Sequence, residues 1–263
     1  ICSTGSPLSE QGFRYVYQNI KRNVHLSSIS GGTDIVSCFV LGNIYQPVNI
    51  GEIQNKGLGL EVDVFSDTGK SLKNMKGELV CKNPFPSMPL KFWNDKNDNK
   101  FIKAYFNRFK DVWHHGDYAE VKNSKGFVIH GRSDTTLNPG GVRIGTAEIY
   151  SEVEKFKEIK ESIVVGQSWD NDIRIVLFIV MNKNFSLNDL LLSKIKRQIR
   201  INTSPRHVPS KVLVVRDIPR TKSGKIVELA VKNTIENKEI KNIQALVDPE
   251  VLKQFENLEE LSY

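Results

Sequence analysis

The chain has 263 residues, 39% of them hydrophobic and 25% charged, enough apolar material for one large core or two ordinary ones, and no apolar run approaches the roughly 20 residues that span a bilayer. Its formal net charge of +7 calls for an anionic partner, which nucleic acid, membrane headgroups or a phosphorylated small molecule could supply. Cys2, Cys38 and Cys81 lack metal-ligand or CxxC spacing, which argues against a disulfide scaffold and fits a reducing, cytoplasmic compartment.

The opening residues, Ile1 to Gly5, carry neither an initiator Met nor a signal-like segment, so the chain is expected to begin part-way through a longer protein. Turn chemistry at Gly5-Ser6-Pro7 precedes a helix expected over 8–20, where Phe13, Val16, Tyr17 and Ile20 recur at helical spacing. A strand over 24–29 then runs into Ser30-Gly31-Gly32-Thr33-Asp34, a small-residue loop. Such a loop can offer backbone N–H groups and a hydroxyl to a phosphate and a carboxylate to a hard cation, or be a simple turn.

Short alternating runs over 60–65 and 77–81, punctuated by glycine, predict antiparallel strands and hairpins. A Pro/Asn/Asp-rich loop over 84–99 is expected to pack Phe92 and Trp93. His114 and His115 are adjacent, so on an extended chain they face opposite ways; no carboxylate partner is evident in the sequence, and peripheral roles are favoured over catalysis. Asp117, after Gly116 in an expected tight turn, is placed to accept from a diol such as ribose or to stabilise the turn itself.

The stretch from Gly131 to Glu148 concentrates Gly131, Pro139, Gly140 and Gly141 between two arginines, Arg132 and Arg143. It reads as a hinge whose guanidinium groups could close on phosphate or ribose, or as a linker with solvated arginines. Thr146 is expected to cap the helix that follows, and residues 149–156 to be helical. Beyond it come strands over 162–165 and 173–181, an amphipathic helix over 187–201, a strand over 211–215, a loop dense in donors and cations over 217–226, and a helix over 227–235. Lys194, Lys196, Arg197, Arg200 and Arg206 form a basic run without interleaved aromatics, which disfavours nucleic acid. The tail over 242–263 is polar and acidic.

Three runs occur in one order: Trp113-His-His-Gly-Asp117, Gly131-Arg-Ser-Asp134 with Gly141-Val-Arg143, and Pro219-Arg-Thr-Lys-Ser-Gly-Lys225. They resemble, respectively, the ribose-binding, hinge and carboxy-terminal lysine motifs of the adenylate-forming enzymes, the acyl-CoA synthetase and luciferase superfamily. Phe92-Trp-Asn-Asp95, Thr136-Leu-Asn-Pro139, Arg206-His-Val-Pro209 and Val227-Glu-Leu-Ala-Val-Lys232 resemble the versions found in its acetoacetyl-CoA synthetase group.

That resemblance implies a mixed α/β and α+β architecture. Residues 1–133 would be the end of the large ATP/AMP-binding domain, and residues 134–263 the small mobile domain carrying the lysine loop. It implies an adenine and α-phosphate site lined by Gly5, Ser6, Pro7, Ser28, Ile29, Ser30, Gly31, Gly32 and Thr33, with Asp34 on Mg²⁺ in place of the family's usual Glu. Asp117 and Arg132 would hold the ribose, Arg143 the phosphate, and Lys225 would act in adenylation on a mobile loop. Asp134 would be the rotation hinge, with Gly140, Gly141 and Arg200 on the coenzyme A side. Ser30 and Gly31 replace the aromatic that many members stack on adenine. The implied substrates are acetoacetate, ATP and coenzyme A. The family's Ser/Thr/Gly-rich phosphate loop is absent from these residues, so an upstream part of the same enzyme is expected to supply it. The competing expectations are a truncated, non-catalytic nucleotide- or CoA-binding paralogue and a ligase for another short-chain acid.

Overall fold

A computed structural model describes residues 1–240 and 242–263. The chain forms two compact units, Ile1–Ser133 and Asp134–Tyr263.

The first unit opens with β1 (Cys2–Ser3), α1 (Glu10–Tyr15) and β2 (Ser27–Ser28), β1 and β2 pairing in parallel. The helix expected over 8–20 is regular only as far as Tyr15. Ser9 caps it by accepting the Gly12 N–H, and Val16–Ile20 continues as a wider π turn. Residues 30–34 are not a plain loop: β3 (Ser30–Gly32) pairs antiparallel with β4 (Ser37–Leu41), which pairs with β5 (Asn55–Lys56).

A four-stranded antiparallel sheet follows, in the order β6 (Val62–Phe65), β7 (Lys76–Cys81), β8 (Trp113–Val121) and β9 (Phe127–Arg132). Period-two alternation sends Val62, Val64, Leu79 and Cys81 into one core with Phe39 and Val40. Before β8 comes α2 (Asn99–Tyr105), whose Phe101 and Tyr105 pack on Trp113, Tyr105 stacked at 3.7 Å between ring centroids. Phe92 joins this aromatic cluster. Trp93, expected to be packed as well, is 91% exposed; neighbouring residues of an extended loop face opposite ways, and only one can enter the core.

A short 3-10 turn over Ser133–Thr135 leads into the second unit, followed by another over Pro139–Gly141 and then α3 (Thr146–Val153). Thr146 is not the cap but the first helical residue, and it is buried. Gly145 occupies the cap position, and its N–H donates to Glu148 Oε1 at 2.9 Å. Consequently the helix lies three residues earlier at both ends than the 149–156 expected.

Next come the long hairpin β10 (Ile159–Trp169) and β11 (Asp172–Met181), α4 (Asp189–Asn202), β12 (Lys211–Val214), parallel to β11, and α5 (Glu228–Ile235). Alternation along the hairpin makes two cores, one per sheet face. Val164, Ile175, Leu177 and Ile179 meet α3 and α4, whereas Ile163, Val165, Val176 and Phe178 meet α5 and the tail. The polar tail still supplies Leu246, Leu252, Phe255 and Leu261 to the second core.

Candidate functional site

In the first unit the site grows from β8. Trp113, His115 and Asp117 all lie on this strand, the indole N–H of Trp113 facing the His115 ring. Asp117 is therefore a strand residue, not a turn residue. Gly116, at φ +83, bends the strand there, and a Cβ on it would come within 2.9 Å of Arg132 Nη2, so glycine is what lets the guanidinium lie across the chain. Register places Asp117 opposite Arg132 on β9. Arg132 Nη1 donates to Asp117 Oδ1 at 3.0 Å and to the His115 carbonyl at 3.1 Å. Asp117 is 6% exposed, a buried acceptor held ready by a half-exposed cation.

The turn after β3 brings Asp34 to the same place, where its Oδ2 accepts the Tyr105 hydroxyl at 2.5 Å. Burial and then this carboxylate raise the Tyr105 pKa above the usual phenol range, so it remains a donor. Gly31 has no room for a side chain, since its Cβ would strike the Ser37 carbonyl and the Cys38 Cα, and a Cβ on Gly32 would meet Asp34 and lie 2.7 Å from the His115 ring. That packing leaves no room for a larger side chain at either glycine.

His115 is packed against Phe39 at 4.7 Å, and its Nδ1 faces the Trp113 indole N–H at 3.4 Å. Burial lowers its pKa, opposed by the nearby Asp117 and Asp34 carboxylates. His114, on the other face of β8, does have a carboxylate partner: its Nε2 lies 2.8 Å from Glu78 Oε2. Glu78 is fully buried, with Arg108 Nη1 at 3.1 Å and the Ser133 hydroxyl donating to it. The partner lies 36 residues away, so only the sheet reveals it.

Gly5, Ser6 and Pro7 are exposed after β1, and Ser28 is buried on β2, with the Ile29 N–H bonded to the Ser3 carbonyl at 2.9 Å. The parallel β1–β2 pair thus brings the first residues alongside the segment that leads into Ser30, Gly31, Gly32 and the exposed Thr33.

In the second unit Lys225 lies on a hydrogen-bonded hairpin. Thr221 N–H donates to the Lys225 carbonyl at 2.8 Å, Lys225 N–H to Thr221 Oγ1 at 3.1 Å, and Gly224 N–H to the Thr221 carbonyl at 2.7 Å. Arg220 ties the turn from below, bonding the Gly224 carbonyl at 2.9 Å and Glu161 at 2.9 Å. The backbone is pinned while the Lys225 side chain is exposed, its ammonium making no ion pair among the described residues.

Gly140 and Gly141 take φ of +56 and +77 in a loop closed by the Leu137–Ile144 bridge. Asp134 lies in the 3-10 turn before it, and Arg143 is half-buried just after it. Arg200 is exposed in the last turn of α4. It is Arg206 that reaches the glycine loop, together with Asp172. Neither was singled out for such a role from the sequence, because the first was one cation in a basic run and the second one residue of the polar turn at 170–172.

The family profile of the AMP-binding enzyme C-terminal domain matches residues 148–225. The acetoacetyl-coenzyme A synthetase of Rhizobium meliloti (strain 1021) is 58% identical over 98% of this chain. This chain is homologous to the acetoacetyl-CoA synthetases. The acetoacetyl-CoA synthetase of Gallus gallus is 48% identical over 99% of it. The solved acetoacetyl-CoA synthetase from Streptomyces lividans superposes with a TM-score of 0.89 at 39% identity, covering the whole chain. The fold is that of the carboxy-terminal portion of adenylate-forming enzymes. The chain spans 40%, 39% and 41% of these three acetoacetyl-CoA synthetases. Among the described residues no helix is long and apolar enough to cross a membrane.

Proposed function

We propose that this chain is the carboxy-terminal part of a cytoplasmic, ATP-dependent acetoacetate:CoA ligase. The observation that supports this most is the coincidence of the Asp117–Arg132 pair, the Asp34–Tyr105 contact and the braced Lys225 hairpin in a chain 58% identical to an acetoacetyl-CoA synthetase. Residues 1–133 then contribute the end of the nucleotide-binding domain, and residues 134–263 the small mobile domain, with Asp134 as hinge.

In this reading Asp117 accepts from the ribose diol. Arg132 fixes that carboxylate and helps bind the sugar. Gly5, Ser6, Pro7 and the segment from Ser28 to Thr33 line the adenine and α-phosphate site, and Arg143 meets phosphate. A carboxylate and ATP repel each other, so the attack of a carboxylate oxygen on the α-phosphorus, with loss of pyrophosphate, needs positive charge along the reacting oxygens. Lys225 supplies it. Its preorganised hairpin means little backbone ordering is needed when the ammonium engages.

The donor set fits Mg²⁺ in a limited sense. Among the described residues no cluster of three His, Cys, Asp or Glu side chains could hold a metal alone, but Asp34 offers a hard oxygen, and Mg²⁺ is commonly held by one or two carboxylates plus substrate phosphates. When bound, the ion would neutralise phosphate charge. In the second half-reaction the coenzyme A thiol attacks the acyl carbon of acetoacetyl-AMP, the bond to AMP breaks, and the thiol proton is released. Gly140, Gly141 and Arg200 lie on the coenzyme A side.

Carboxylate-dependent ATP–pyrophosphate exchange on the intact enzyme, with acetoacetate, acetate, butyrate and 3-hydroxybutyrate compared, tests this. Preference for acetoacetate is expected. Exchange with another acid of the panel instead would reassign the substrate, and none with any acid would favour a non-catalytic nucleotide- or CoA-binding paralogue.

A further inference from the structure

In the loop between Leu137 and Ile144, one peptide group is held at both ends by opposite charges. The Gly140 N–H donates to Asp172 Oδ1 at 3.0 Å and Oδ2 at 2.9 Å. Arg206 Nη1 lies 3.4 Å from the Pro139 carbonyl oxygen, which belongs to the same peptide group, and 3.4 Å from that of Gly140. Rotating this peptide group would break the contacts at both ends.

The loop needs such anchoring. Two successive glycines with positive φ are the residues that lose most freedom on ordering, and the Leu137–Ile144 bridge, with N–H···O distances of 2.9 and 2.8 Å, fixes only the base. The anchors come from distant positions: Asp172 from the turn into β11, and Arg206 from the 3-10 turn after α4. Asp172 is exposed, yet its carboxyl is held below the usual range by the Ile173 and Gly140 N–H groups, with Arg206 adding to the effect. Glycine at 140 is itself part of the device, because a Cβ there would run into the Arg206 guanidinium. An open groove of about 590 Å³ starts beside the clamp, lined by Asn138, Gly141, Trp169, Asn171 and Asp172 among others.

We propose that Asp172 and Arg206 are positioning residues for thioester formation, fixing the Pro139–Gly140 peptide so that the glycine loop presents a preformed surface to the pantetheine arm of coenzyme A. This rests on the ligase reading above for the identity of the arm. The clamp itself does not. Neither residue is assigned contact with substrate; both act through the loop backbone.

The test uses the intact enzyme with Asp172→Ala, Arg206→Ala and the conservative Asp172→Glu and Arg206→Lys. Hydrogen exchange of the peptide covering 138–143 reports the clamp whatever the chemistry, and should speed up at least about tenfold at Gly140 in Asp172→Ala. The two half-reactions report its purpose: pyrophosphate exchange should change less than about twofold, while KM for coenzyme A rises about tenfold or more, with partial rescue in the conservative variants. Unchanged Gly140 exchange in Asp172→Ala, or equal loss of both half-reactions, would overturn the proposal. A wild-type enzyme with a protected Gly140 amide and no carboxylate-dependent exchange would instead overturn the ligase reading, and the thioester role with it.

Discussion

Replacing Arg132 by alanine leaves the Asp117 carboxylate, 6% exposed, without the guanidinium 3.0 Å away. At that separation the gross attraction is about 5.5 kcal/mol for an effective dielectric of 20. Arg132 is half exposed, so screening and the desolvation of Asp117 reduce the net coupling to about 1–2 kcal/mol. The same guanidinium nitrogen also fixes the His115 carbonyl, so its loss frees the acceptor as well as unpairing it. A double-mutant cycle with Arg132→Ala and Asp117→Asn, read by calorimetric AMP binding to the intact enzyme, isolates the term. Arg132→Ala should weaken AMP binding roughly 10- to 30-fold, and the two substitutions should couple by about 1–2 kcal/mol. Arg132→Lys should restore binding only in part, because an ammonium lacks the planar guanidinium that lies across the chain at Gly116. Additivity within about 0.5 kcal/mol, or unaltered AMP affinity, would refute the preorganised pair.

Gly31→Ala should be far more damaging than an ordinary glycine substitution. Its Cβ would meet backbone, the Ser37 carbonyl and the Cys38 Cα, neither of which can rotate away; a loss above about 3 kcal/mol is expected in thermal or denaturant unfolding, and an unchanged midpoint would contradict the β3–β4 packing. Burial lowers the His115 pKa in the fold, so the ring is neutral at pH 7 and the unfolded chain binds its proton first. Stability should therefore fall as pH drops below about 6.5 and through the depressed folded value. His115→Gln should flatten that part of the stability–pH curve, and parallel curves for the two proteins would dispose of the assignment.

Much of this was legible before the fold because the chemistry sits in contiguous runs. The lysine hairpin, the glycine loop and the strand with Asp117 each carry their own local signal, and the alternation along β10 and β11 marks the hairpin that divides the second unit into two cores. What sequence reasoning misplaced depends on partners far along the chain. Asp117 reads as a turn residue after a glycine, yet Gly116 is a bend inside a strand whose register opposite Arg132 decides its role. His114 looks unpartnered until β7 brings Glu78 beside it. Trp93 is apolar enough to be buried, but its neighbour Phe92 takes the place in the aromatic cluster. The Ser-Gly turn around Lys225 has the composition of a loop, and it is Arg220, bonded to the Gly224 carbonyl and to the distant Glu161, that braces it as a hairpin. Asp172 and Arg206 carry no local signal for what they hold, since each is one polar residue among several until the glycine loop lies between them.

The central claim is that Lys225 is the cation of the adenylation step, and comparing the two half-reactions in Lys225→Ala of the intact enzyme addresses it most directly. Carboxylate-dependent pyrophosphate exchange should fall by about 100-fold or more, as expected when a cation aimed at developing charge is removed. Thioester formation from preformed acetoacetyl-AMP and coenzyme A should stay within roughly threefold of wild type. Exchange that survives the substitution, or an equal loss in both steps, would contradict the account.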